Sequence, residues 1–121
     1  MLDRFDLNIV LHRLSRAELA APSLSEPSHV VAARVVEAHE RMVNRLTGTE
    51  WNKNAQTSGS WLRANTTLPE SAAELINQVL VTGQLSMRGV TKVLRVAWTL
   101  ADLAGHDAPR ESAIHEAIAW R

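Results

Sequence analysis

A small, mainly α-helical bundle of about four helices, preceded by one N-terminal strand, is the fold this sequence predicts. Three observations carry it. Apolar residues recur at three- and four-residue steps in four separate stretches. Gly48, Gly83 and Gly105 follow the helical patterns, where a left-handed residue can stop a helix. The opening "MLDRFDLNIVL" alternates instead, with Phe5, Leu7, Ile9 and Leu11 on one face of an extended chain.

That opening strand carries Asp3, Arg4 and Asp6 inside an apolar run, and a strand needs neighbours to satisfy its backbone. It therefore reads as the edge of something larger. From Ser15 to Ser28, Pro22, Pro27, Ser23 and Ser25 break the spacing and predict a loop, with one short helical turn at 16–20. Ser28 offers an N-cap to a helix that would bury Val31, Val35, Ala38 and Met42 and end at Gly48. A polar loop follows to Ser60, broken by Trp51, with Asn52 and Asn54 suited to turns.

Ser58 starts a short helix through Trp61 and Leu62. Thr67 and Glu70 have capping-box spacing around Pro69, ahead of a helix burying Leu75, Ile76, Val79 and Leu80. Ser86 caps the next, whose Val90, Val93, Leu94, Ala97 and Ala101 make an apolar stripe up to Gly105. Asp107 and Pro109 open the last, with Ile114, Ala117 and Ile118 inward. Trp51 and Trp61, flanking the polar loop, are expected to pack on a surface outside this chain.

Composition narrows the function. Thirteen basic and thirteen acidic side chains balance, so no overall field draws the molecule to nucleic acid or an anionic membrane. Cysteine is absent, which removes disulfides and thiolate zinc sites and fits a reducing cytoplasm, the expected compartment. No apolar run approaches the roughly 20 residues of a membrane span. The five histidines form no i, i+4 pair, so no metal site is expected. No nucleophile elbow encloses a serine, which argues against hydrolase chemistry.

The strongest chemical signal lies on the Ser86 helix. Arg88, Lys92, Arg95, Thr99 and Asp102 follow at steps of four, three, four and three and share a face. Such a stripe is a solvated face, a phosphate-binding face that begins at a helix N-terminus, or the second helix of a helix-turn-helix reaching a DNA groove. The neutral charge balance weakens the last of these.

Five stretches then occur in a familiar order: "LDRFDL" at 2–7, "NAQTSG" at 54–59, "LSMR" at 85–88, "VLRVAWTLADL" at 93–103, and the closing Trp120 and Arg121. Together they resemble the C-terminal part of the magnesium-chelatase-like AAA+ ATPases, in the competence-associated branch. The resemblance implies that residues 1–14 are a remnant strand of the AAA+ core and 15–121 a helical lid. It implies an arginine finger at Arg4, reaching a neighbouring subunit's ATP, and a sensor 2 arginine at Arg88 on the nucleotide phosphates. Lys92 and Arg95 would extend that face toward nucleotide or nucleic acid.

For the intact protein the resemblance implies an upstream AAA+ core, a homo-oligomeric, hexameric ring, ATP and Mg, and action on DNA of the helicase or branch-migration type. Magnesium insertion into a porphyrin is the alternative within the family. This chain has no G-x-x-x-x-G-K-[ST] loop, so it is expected to bind no ATP and to be inactive alone. It also departs from the family at His39 and Trp98, where Arg is usual, and at Met42, where Gln is frequent. Arg4 itself is expected to be exposed and mobile.

Overall fold

A computed structural model describes residues 4–22 and 25–121, so Leu2 and Asp3 of the opening motif and Ser23 of the expected loop lie outside it. Among the described residues six helices follow in order: α1 (Arg16–Ala20), α2 (Ser28–Leu46), α3 (Gly59–Asn65), α4 (Glu70–Val81), α5 (Met87–Ala104) and α6 (Glu111–Ala119). A single 3₁₀ turn, Asn54–Gln56, lies between α2 and α3. The small helical domain is as expected.

The N-terminal strand is not formed: residues 7–15 are irregular, and no strand occurs among the described residues. A strand requires a partner for its backbone groups, and here those groups find others. The Asn8 N–H donates to the Trp120 carbonyl at 2.6 Å. The Phe5 carbonyl accepts from Lys92 Nζ at 3.2 Å and from Arg121 Nη1 at 2.9 Å.

Local capping explains most helix starts. Ser15 and Glu18 form a complete capping box on α1. The Ser58 and Ser86 hydroxyls accept from the Trp61 and Gly89 amides, as expected for α3 and α5. Proline overrides the other two expected caps. Pro27, extended at φ −60° and ψ 146°, is the N-cap of α2, which leaves Ser28 inside the helix. Pro69 does the same for α4, so Thr67 lies too far upstream to form a box with Glu70. The last helix starts later than expected, at Glu111, because Arg110 is still extended and Pro109 is buried in the preceding loop. Gly105 ends α5 at φ 73°, a left-handed residue that only glycine adopts cheaply.

The core forms around α5. Val90, Val93, Leu94, Ala97, Trp98 and Ala101 are buried together with Leu62, Ala72, Ala113, Ile114 and Ala117 from α3, α4 and α6. Burial on this scale is the main stabilising term of so small a domain. Helix α2 departs from expectation, since only Ala38 and Leu46 on it are buried, while Val31 and Val35 are exposed. Its hydrogen bonds to α5 come from Arg41 and Arg45, near its C-terminal end. Trp51 and Trp61, both half-buried, pack on each other, edge to face at 5.5 Å.

Candidate functional site

The α5 stripe is not a solvated face. It divides into three environments along the helix. At its start Arg88 is exposed, and among the described residues no group bonds its guanidinium. It stands in the first turn, just after the Ser86 cap, where unpaired backbone N–H groups and the positive end of the helix dipole also favour an anion.

One turn further, Lys92 is only 6% exposed. Its ammonium lies 3.2 Å from the Phe5 carbonyl and 3.8 Å from Asp6 Oδ1. A buried ammonium is tolerated only with such partners. Arg95, half-buried, donates from Nε at 3.0 Å and from Nη2 at 2.5 Å to the Thr57 carbonyl. Both cations are thus directed at loops of their own chain. Arg88 alone of the three basic residues is presented to solvent.

Arg4 is exposed, and among the described residues it makes no hydrogen bond or ion pair. It precedes Phe5, which Lys92 holds, and Lys92 lies one helical turn, about 6 Å, from Arg88. The structure therefore brings the segment bearing Arg4 to the end of α5 that bears Arg88.

At the other end of the stripe lies a polar network that spacing did not disclose. Asp102 is 2% exposed and forms a two-pronged ion pair with Arg45 of α2, Nη1 on Oδ1 and Nη2 2.9 Å from Oδ2. Asn54, in the 3₁₀ turn, accepts from Arg45 Nη2 at 2.6 Å and donates to Asp102 Oδ2 and Thr99 Oγ1, both at 3.1 Å. Arg41 donates to the Asp102 main-chain carbonyl at 2.7 Å, beside the Gly105 N–H that the same carbonyl accepts at 3.3 Å. The sequence marked only Asp102, the one acid on the face that it shares with Arg88, Lys92, Arg95 and Thr99.

Trp98, where the resemblance leads to the expectation of Arg, is buried. The Arg45 guanidinium lies 4.1 Å from its ring centroid, and its indole N–H donates to Thr66 Oγ1 at 2.9 Å. His39, the other position where Arg is expected, is exposed, and Met42, the third departure, is half-buried.

A cavity of about 380 Å³ separates the opening segment from α5, lined by Leu7, Val96, Leu100, Leu103 and Trp120, with Arg95 and Asn54 at its edge. Among the described residues no three His, Asp or Glu side chains come together to hold a metal ion, and no helix is long and apolar enough to cross a membrane.

Comparison with known proteins agrees with this architecture. Residues 25–121 match the family model described as magnesium chelatase, subunit ChlI C-terminal. The match begins after the segment that carries Arg4. An uncharacterized protein of Mycobacterium tuberculosis is 39% identical over 122 residues, which cover all of this chain and 24% of that protein. The uncharacterized protein YifB of Salmonella typhimurium is 31% identical over 121 residues, 99% of this chain and 23% of the relative. The chain thus spans about a quarter of the length of the curated relatives it matches.

Proposed function

The chain belongs to the family of magnesium chelatase subunit ChlI C-terminal domains, and from that premise we propose that it is the helical lid of an AAA+ ATPase, with Arg88 as sensor 2 and Arg4 as arginine finger. The observation that carries the reading is the contrast along α5. Lys92 and Arg95 are satisfied within the chain, whereas Arg88 stands exposed in the first turn of a capped helix. A guanidinium there matches the fork geometry of phosphate oxygens, and lysine would match it less well.

ATP, with Mg, would be held by an upstream core that brings its own phosphate-binding loop. This chain's part is to place two cations where negative charge grows on the transferring phosphoryl group. A finger acts on a neighbour's site, so the reading carries with it a homo-oligomeric ring, hexameric by resemblance. DNA as the ring's substrate rests on the resemblance to the competence-associated branch.

A free-standing helix-turn-helix would require α5 to present Arg88, Thr91, Lys92 and Arg95 to a groove, and two of those donors already serve the chain itself. The deciding experiment is ATP turnover by the intact protein carrying Arg4→Ala or Arg88→Ala. Each should lower turnover heavily while leaving the circular dichroism spectrum unchanged. Near-normal hydrolysis in both variants would overturn the assignment.

A further inference from the structure

We infer that Lys92 and the C-terminal residues Trp120 and Arg121 form a clasp that positions Arg4 relative to Arg88. The inference rests on the finger reading of Arg4 given above, and adds positioning residues at the opposite end of the chain from the finger. Four contacts define the clasp. The Phe5 carbonyl accepts from two cations at once, Lys92 Nζ at 3.2 Å and Arg121 Nη1 at 2.9 Å. The neighbouring Asp6 carboxylate lies 3.8 Å from the same ammonium. The Asn8 N–H closes the far side on the Trp120 carbonyl at 2.6 Å.

Each contact has a reason to persist. Lys92 is buried, and an ammonium in that position favours keeping polar partners such as the Phe5 carbonyl and the Asp6 carboxylate. The segment 5–8 has no strand partner and depends on these bonds for its place. Because Lys92 sits one turn beyond Arg88 on a single helix, the clasp makes the segment after Arg4 and the start of α5 one body. A shift of α5 that follows the nucleotide through Arg88 is then carried to Arg4, and so to the next subunit's site. Lys92, Trp120 and Arg121 touch no reacting atom in this scheme.

The test uses Lys92→Met, which keeps the buried stem and removes the charge, and Arg121→Ala, which is peripheral to the core. In the 121-residue chain, amide hydrogen exchange at Asn8 should quicken roughly tenfold or more in each variant, the scale of a lost charge-assisted bond, while Val93 in α5 stays protected. In the intact protein each variant should lower kcat severalfold with KM for ATP unchanged, and Arg121→Lys, which retains a cationic donor, should recover it. Unchanged Asn8 exchange in Arg121→Ala overturns the clasp, even where Lys92→Met does not fold. Quickened exchange with normal kcat overturns the positioning role. Arg4→Ala separates the two failures: if it leaves turnover normal, the finger reading falls, whereas a heavy loss beside normal kcat in the clasp variants removes the clasp alone.

Discussion

Arg45 on α2 and Asp102 on α5, 57 positions apart in sequence, form the one two-pronged ion pair among the described residues that crosses between helices of the bundle, and both of its members are largely withdrawn from water. The carboxylate is completed by Asn54, and the guanidinium lies on the Trp98 ring. Geometry of this kind satisfies both charges, yet a buried pair adds little net stability over a well-packed apolar one. Its removal from one side is another matter.

Asp102→Ala should therefore destabilise the domain by about 3 kcal/mol, because Arg45 keeps its charge in a site that no longer neutralises it. Urea unfolding gives the measurement. The double variant Asp102→Leu with Arg45→Met should lose less than the two single changes together, since it removes both charges at once.

Trp98→Phe should cost about 1 kcal/mol, for the indole bond to Thr66 and a weaker contact with the Arg45 cation. Trp98→Arg should cost about 3 kcal/mol or more, because it buries a second guanidinium beside the first. Thermal unfolding distinguishes them by the order of their midpoints. A Trp98→Arg chain as stable as the original would mean that α2 and α5 can separate to admit water.

The contrast between these two sites shows what spacing can tell. Ser58, Ser86 and Gly105 act as expected because a cap depends on a few adjacent residues. Pro27 and Pro69 displace the expected caps through an equally local effect, since each is itself the extended N-cap residue. Val31 and Val35 recur at helical spacing, but spacing defines a face without saying what covers it. The alternation of Phe5, Leu7 and Ile9 likewise cannot supply the strand that would pair with it. Arg45 and Asp102 meet through tertiary packing, which the polar face that Asp102 shares with Arg95 and Thr99 did not announce. Arg4 and Arg88 are exposed, while the burial of Lys92 had no local signal at all.

Acid should loosen the contact between α4 and α6. The Ser71 hydroxyl donates to Glu111 Oε2 at 2.7 Å, and this bond, followed by the one to His115, holds the Glu111 carboxyl below its ordinary value of 4.5. A carboxylate depressed by folding adds stability that is fully present above its unfolded pKa and is lost as pH falls through the folded one. Stability measured downward from pH 4.5 should accordingly decline less steeply in Ser71→Ala than in the original chain. Equal slopes would show that the bond is not kept in solution.

If Arg4 serves a neighbouring subunit, two inactive forms of the intact protein should repair each other. Subunits with Arg4→Ala keep a sound nucleotide core, and subunits with a disabled upstream phosphate-binding loop keep a sound Arg4. Alone, each should hydrolyse ATP on the order of 10³-fold more slowly, the scale of an absent arginine finger. In an equimolar mixed ring about a quarter of the interfaces join a sound core to a sound finger, so activity should return to that fraction. Mixing that restores nothing would place Arg4 on its own subunit's nucleotide or remove it from the reaction. The same mixture made with Arg88→Ala decides whether the α5 arginine reads its own nucleotide or the next one: recovery there means that it too reaches across the interface.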